Sequence, residues 1–299
     1  MTLVISRIIE KSIHIHSDTR ITSPNIFKNN PLAGLLKSVI LHPFICLSFA
    51  GNVIPAQEAI ASFFTNKISD LDSLLNMLLA THQKANQATD FGVASCINKQ
   101  PRLFEIKNGT IVETSSFWLG DTDGFNHYQH EFHTMNKSLS TQIKMREAFK
   151  NTLDSSDIKT IGDFHISASL DFSICNPPHP VFLYDEKIEI NVSEKQTISY
   201  AQGKRSVIPL GTTHGGSYGI SYLTSVSPDF HGVGIHFTHG NFGIIYCPQI
   251  NHTSATLIRN VSGAGFAEEA YRKYNIPLRG LVKKNATAVQ YVDARSLII

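Results

Sequence analysis

Between Leu3 and Gly51 the chain carries two pairs of short apolar runs broken by turn residues. Directly after Gly51 the hydrophobic period lengthens from two to nearly four. Thr2 to Ile9 is rich in β-branched residues and reads as a strand. Glu10-Lys11-Ser12 reads as a turn, and Ile13 to Ser17 alternates as a second strand. A polar segment with Pro24, Asn29, Asn30 and Pro31 reads as a loop. Ser38 to Ile40 and Phe44 to Phe49 then flank His42-Pro43 as a second hairpin. Four strands this close together predict a sheet at the start of the fold.

Val53, Ala56, Ile60, Phe63 and Phe64 recur at helical spacing, with Pro55 tolerable in the first turn. Asp70 or Asp72 can cap a second helix through Leu71, Leu74, Leu75 and Leu78. Strands are predicted at Phe91 to Ile97, Arg102 to Ile106 and Ile111 to Leu119, with Asn108-Gly109 as a hairpin turn between the last two. Helices follow at about Phe125 to Met135 and Ser138 to Leu153, then strands at about Phe164 to Phe172 and Val181 to Ile190. Residues 191–299 change texture, with glycines scattered among aromatic and β-branched residues and one helix near Gly265 to Tyr274. The expected organisation is a domain over 1–190 followed by a β-rich domain over 191–299.

At 299 residues the chain can bury an ample core. Its formal charge of +2 supplies no basic field for nucleic acid or a membrane surface, so neither partner is expected. The most apolar run, Val39 to Gly51, is too short to span a bilayer and contains His42 and Pro43. The N-terminus lacks the long apolar core of a secretory signal, which leads us to expect a cytoplasmic protein. Cys46, Cys96, Cys175 and Cys247 form no CxxC pair and read as isolated thiols.

The order hairpin, hairpin, two helices, three strands, two helices, two strands can close as two stacked antiparallel sheets flanked by helix pairs. This is an α+β fold, a four-layer αββα sandwich, here with a β-rich C-terminal extension. Over about residues 2–190 the chain resembles the N-terminal-nucleophile hydrolases, in particular proteasome β-subunits and the HslV peptidase. Thr2 falls where that family has its N-terminal threonine, and Asp18-Thr19-Arg20 at its Asp-x-Arg after the first hairpin. Lys37, followed by Val39-Ile40 and Ala50-Gly51, is similar to its lysine, apolar strand and Ala-Gly. Trp118-Leu119-Gly120-Asp121 matches a later strand and glycine turn, with Asp121 where the family has a serine. Asp163 matches a third acidic position, for which Asp229 competes. The loop before Lys37 is slightly longer than usual, and the C-terminal hundred residues have no counterpart.

The resemblance implies a threonine protease, a hydrolase of amide bonds in peptide or protein substrates, working as a homo-oligomer and without metal or cofactor. Once Met1 is removed, the Thr2 hydroxyl becomes a nucleophile with its own α-amine as base. That amine has a reference pKa of about 7.7–8.0, and a lysine cation beside it favours the neutral form. Lys37 supplies the cation and Asp18 holds it. The Gly51 N–H stabilises the oxyanion, a contribution of about 3–4 kcal/mol. Two other readings compete. One is a proteasome-like scaffold that kept the fold and lost the chemistry, motivated by Asp121 and the C-terminal region. The other is a metal-dependent hydrolase on His14, His16 and Asp18, because alternate strand residues share a face and imidazoles suit zinc. His214, His231, His236 and His239 could add ligands to that site. With 14 histidines in the chain, chance pairs are expected, and His127, His130 and His133 read as a helix surface.

Overall fold

A computed structural model describes residues 2–20, 34–66, 68, 70–158, 160–162, 164–171, 181–184, 198–199, 206–208, 220–225, 231–238, 241–283 and 289–296. The predicted loop through Pro24 and Pro31 and the strand end at 185–190 lie outside these residues, as do Asp163, Cys175, His214, Asp229 and His239. The chain is α+β and divides into two compact units. The first comprises Met1–Ile26 with Leu35–Leu183, the second Phe27–Gly34 with Tyr184–Ile299.

The first unit contains two five-stranded antiparallel sheets. One has the order β10 (Val181–Tyr184), β9 (Ile166–Asp171), β2 (Ser12–Ser17), β1 (Leu3–Ile9), β8 (Ser116–Gly120). The other runs β3 (Ser38–His42), β4 (Ile45–Gly51), β5 (Thr89–Ser95), β6 (Arg102–Lys107), β7 (Thr110–Thr114). The first four strands therefore do not share one sheet: the β1–β2 hairpin belongs to one and the β3–β4 hairpin to the other. Each hairpin forms by local pairing, and the polar segment between them lets the chain change sheets.

β1 sits between β2 and β8, and its residues Leu3 to Ser6 are buried on both faces. That explains a nearly continuous apolar run where one-sided exposure would give alternation. Leu3 and Ile5 join Tyr128, Met145, Ala148, Phe149 and Ile161 in one core. That core is contributed largely by α3 (Thr122–Thr134) and α4 (Thr141–Asp154). The opposite face of this sheet approaches β4, β5 and β6. There Phe117 of β8 lies against Gly92 of β5 so closely that a Cβ on Gly92 would stand 2.3 Å from the ring.

α1 (Val53–Asn66) and α2 (Leu71–Lys84) pack against the second sheet. Asp70 caps α2, accepting from Ser73 N at 2.7 Å. Leu71, Leu74, Leu75 and Leu78 form its buried stripe, and His82 extends it. The His82 Nδ1–H donates to Thr89 O at 2.7 Å, leaving Nε2 to accept from Gly109 N at 3.0 Å. One neutral tautomer thus ties the helix to β5 and to the β6–β7 turn.

The run Ile111 to Leu119 is two strands rather than one. It breaks at Ser115, β7 staying with β6 while β8 crosses to pair with β1. Thr114 stabilises the break, its Oγ1 accepting from Ser116 N at 3.3 Å and donating to Ser116 O at 2.8 Å. Local side-chain bonds of this kind compete with ladder bonds and turn the chain.

The second unit is built on an eight-stranded antiparallel sheet. Its path runs β11 (Ile198–Ser199), β12 (Ser206–Ile208), β13 (Ile220–Ser225), β14 (Val233–Phe237), β15 (Phe242–Tyr246), β16 (Ala255–Arg259), with β17 (Leu278–Lys283) and β18 (Val289–Asp293) branching from β13. A short α5 (Pro248–Asn251) precedes β16, and α6 (Gly263–Tyr274) covers the sheet with Phe266, Ala267 and Ala270. Gly234 and Gly243 leave room for the Phe266 ring, which would lie 2.9 Å and 2.4 Å from a Cβ at each. Among the described residues no helix is long and apolar enough to cross a membrane.

Candidate active site around Thr2

Four predicted site residues from separate segments, Thr2, Asp18, Lys37 and Asp121, meet at the start of β1. Thr2 precedes the strand and is 3% exposed. Its carbonyl accepts from Asp121 N at 2.6 Å, and the next residue, Leu3, donates its N–H to Asp18 Oδ1 at 3.0 Å. Lys37, just ahead of β3 and 3% exposed, donates from Nζ to Thr2 Oγ1 at 2.6 Å and to Arg20 O at 3.1 Å. A buried ammonium is costly unless its protons find acceptors, and these two oxygens supply them. Phe49 N donates to Lys37 O at 3.0 Å, so β4 fixes the lysine backbone as well.

Asp18 lies just past the end of β2 and is fully buried. Besides Leu3 N it accepts Arg20 N at 3.2 Å and Gly162 N at 3.3 Å. Its carboxylate therefore joins the start of β1, the chain leaving β2 and the loop entering β9. Thr19 closes that loop further, its N donating to Gly162 O at 3.3 Å and its Oγ1 accepting from Phe164 N at 3.0 Å. Gly162 has φ +148, and a Cβ there would stand 2.8 Å from Arg20 Cζ, so only glycine lets the guanidinium lie against this backbone.

Asp121 is 2% exposed and caps α3, its Oδ1 accepting from Gly124 N at 2.8 Å. Gly120, before it, has φ +102, and a Cβ would fall 1.9 Å from Thr2 O. The Gly-Asp pair thus brings the α3 N-terminus against the Thr2 backbone. Gly51 has φ +99 at the end of β4, and its close neighbours are Ala88 and Thr89 across the β4–β5 pair.

The structure does not gather His14, His16 and Asp18 into a ligand set. Among the described residues no three His, Cys, Asp or Glu side chains form one. The shared-face argument fails because Asp18 lies beyond the strand and turns back to three N–H groups. His16 instead packs against β9 and α4. Its Nδ1 lies 2.9 Å from both His165 Nε2 and Ser167 Oγ, and those two atoms are 3.1 Å apart. The Phe149 ring lies tilted beside both histidine rings. Burial, with the nearby His14 and Arg146 charges adding to it, lowers the His16 pKa to about 3. Burial also pushes His165 well below the ordinary histidine value, helped by His16, Arg146 and Lys150. His127 lies 3.4 Å from Thr152 Oγ1, and His133 lies 3.0 Å from Gln129 Oε1, on a largely exposed helix face. Cys46, Cys96 and Cys247 are buried free thiols.

Neither the protein-family models nor the curated proteins compared with the chain gave a match. The site must therefore be read from its own geometry. Reasoning on the sequence missed Gly162, the backbone role of Arg20, and the partnership of His16 with His165 and Ser167. A glycine directly before an acidic residue, as in Gly120-Asp121 and Gly162-Asp163, was the available signal for the two close approaches.

Proposed function

We propose that the chain is a threonine-type N-terminal-nucleophile hydrolase of the proteasome-like kind, cleaving amide bonds in peptide or protein substrates through Thr2 after Met1 is removed. One observation carries the reading: Lys37 Nζ lies 2.6 Å from Thr2 Oγ1 inside a buried site. A lysine placed there lowers the energy of an alkoxide on Oγ1. The finer fold belongs to the same proposal. With α3 and α4 on one sheet, α1 and α2 on the other, and Phe117 against Gly92 between the sheets, the first unit forms an αββα sandwich.

In the reaction, the neutral Thr2 amine takes the proton from Oγ1 as the oxygen attacks the scissile carbonyl carbon. The C=O π pair moves onto oxygen, and we assign the Gly51 N–H as donor to that oxyanion. Collapse expels the amine product, which takes the proton from the Thr2 ammonium, and leaves an ester on Oγ1. Water, deprotonated by the same amine, then hydrolyses the ester. Lys37 acts on Oγ1 directly. Asp18 positions it by fixing the Leu3 and Arg20 backbones, and Asp163 is the third acidic residue that the resemblance implies.

The test is turnover of a panel of fluorogenic peptide amides by protein whose intact mass shows Met1 removed, beside the Thr2→Ala variant. Loss of turnover in a folded variant, together with a mass adduct on Thr2 from a threonine-reactive electrophile in wild type, is expected. Undiminished turnover in Thr2→Ala overturns the reading. Assembly into a homo-oligomer, also implied by the resemblance, is tested by sedimentation velocity.

A further inference from the structure

Beside the candidate site lie two buried imidazoles whose hydrogen bonding is incomplete. His16 is on β2, two residues before Asp18, and His165 directly precedes β9, three residues after Gly162. Asp18 joins the same two chain segments, its Oδ2 accepting from Gly162 N, and Phe164, next to His165, donates its N–H to Thr19 Oγ1. Between the rings and this junction lies the ladder pair Ser17–Ile166, where Ser17 Oγ donates to Ile166 O at 3.3 Å. The rings face each other through His16 Nδ1 and His165 Nε2, with Ser167 Oγ beside both. His16 Nε2 and His165 Nδ1, on the far sides, are buried without a hydrogen-bond partner. A neutral imidazole carries one N–H, so one proton between the facing nitrogens satisfies the pair. A further proton meets the first on an inner nitrogen, or is buried without an acceptor on an outer one. The charges that act on the rings are cationic: His14 on β2, which lies across from Arg7 of β1, and Arg146 and Lys150 on α4. Glu147 of α4 stands 3.8 Å from Lys150 Nζ.

We propose that His16 and His165 are positioning residues for the Thr2 site: the proton they share clamps the end of β2 to the start of β9, where Asp18 receives the Leu3, Arg20 and Gly162 amides, and acid opens that clamp before the first unit unfolds. Its bearing on catalysis rests on the reading of Thr2 as the nucleophile. On opening, each ring takes one proton from solvent and becomes an imidazolium, which needs the water that the closed pair excludes. Closure and protonation of both rings therefore exclude one another. Opening frees the Asp18 carboxylate from Gly162 N and loosens its hold on Leu3 N, the residue that follows Thr2. Lys37 and the Thr2 hydroxyl then lose the backbone frame that sets their 2.6 Å contact. The junction depends on a few bonds at one end of the β2–β9 ladder, so opening it breaks far fewer contacts than unfolding two five-stranded sheets. The result is a site that is assembled at neutral pH and reversibly dismantled in mild acid.

Amide hydrogen exchange of the full chain, followed by NMR at pH 7 and pH 5, reads the clamp directly in wild type and in the double variant His16→Asn, His165→Gln. The reporters are the Leu3, Gly162 and Phe164 amides, and the reference is the β4–β5 ladder of the other sheet. After correction for intrinsic rates, reporter protection in wild type should fall at least roughly thirtyfold, tenfold per pH unit below the ordinary histidine value of 6.5 for uptake of one proton. At both pH values the reporters should exchange faster than the reference ladder, which marks an opening short of unfolding. In the double variant the fall should disappear. An equal fall in the variant, or reporters exchanging at the rate of the reference ladder at both pH values, would overturn the proposal. Should the double variant not fold, His165→Gln alone removes one titrating ring, and a fall as large as that of wild type would overturn it likewise. Neither comparison uses turnover, so an acid-opened clamp in a protein without peptidase activity would sink the reading of Thr2 and leave the clamp standing.

Discussion

The buried pair His16–His165 makes the first unit sensitive to acid, and the sensitivity can be worked out. Both rings are neutral in the fold; His16 lies in the β2–β9 ladder and His165 directly before β9, each against Phe149. Protonating both would set N–H groups against one another across 2.9 Å, in a pocket already facing His14, Arg146 and Lys150. The folded-state pKa of His16 is about 3, against 6.5 for the ordinary side chain. A depressed histidine pKa means that the unfolded chain binds the proton first. Stability is therefore unaffected above about pH 6.5 and falls as pH drops from there towards 3. Across the 1.5 pH units down to pH 5 the unfolded state gains nearly one proton, which at 1.36 kcal/mol per unit is about 2 kcal/mol from His16. His165 adds to the loss in the same direction.

That is a large part of the 5–15 kcal/mol that stabilises an ordinary domain. The assay is urea unfolding at pH 7 and pH 5, followed by the fluorescence of Trp118. It is the chain's one tryptophan and lies on β8 of the first unit, so the signal reports that unit. The comparison is with the double variant His16→Asn, His165→Gln, which keeps a polar atom near each bonded ring nitrogen and removes both titrating groups. The variant should be less stable at pH 7 and lose at least about 2 kcal/mol less than wild type on going to pH 5. Equal losses would refute the argument, because carboxylates elsewhere contribute alike to both proteins.

The remaining predictions concern the site and the packing around it. Lys37→Met should reduce kcat roughly 10²–10³-fold, the usual cost of losing one group that stabilises charge in the transition state. Unaltered peptide turnover would remove Lys37 from the mechanism. Gly120→Ala puts a Cβ 1.9 Å from Thr2 O at φ +102. Overpacking of about 1–3 kcal/mol, with roughly 1 kcal/mol more for the backbone, should appear as a lower urea midpoint on the Trp118 signal. Gly92→Ala should cost about 1–3 kcal/mol against the Phe117 ring. Recovery in the double variant with Phe117→Leu checks that the ring is the cause. In the second unit, Phe266→Ala should cost about 3–5 kcal/mol. Circular dichroism should detect its unfolding, and an unchanged melting profile would contradict the packing of Gly234 and Gly243 on that ring.

Local chemistry made much of this arrangement legible in the chain. Asn108-Gly109 is a turn with φ of 52° and 74°, as an Asn-Gly pair between strands demands. Asp70, one of two candidate caps, is the one whose side chain reaches back to Ser73 N. The break at Ser115 was not legible, because Thr114-Ser115-Ser116 contains neither Gly nor Pro and nothing in it records a change of sheet. Nor could any local pattern tell that His16 would meet His165, 149 residues away, rather than His14 and Asp18. Shared faces follow from period two only while the strand lasts, and β2 ends at Ser17. Thr2 and Lys37 were drawn together through a resemblance in spacing, whereas the contacts of Asp121 depend on Gly120 adopting a positive φ that spacing does not reveal.

The polar contacts made to Thr2 bear on whether the arrangement serves chemistry. Here Thr2 and Leu3 are held on three sides. Asp121 N bonds Thr2 O, Asp18 takes Leu3 N, and Lys37 reaches the Thr2 hydroxyl from outside the sheet that holds β1. The apolar side chain of Leu3 would anchor β1 without any of the polar contacts to Thr2. Even with its two acceptors, a lysine held out of water on a threonine hydroxyl opposes folding stability, and so does a buried carboxylate oxygen without a donor. Native structures keep such features where a site depends on them. Replacing Lys37 and Asp121 together, by Met and Asn, should therefore yield a protein at least as stable as the wild type with Met1 retained. Urea denaturation on the Trp118 signal decides the matter, and marked destabilisation would make the two residues structural rather than functional.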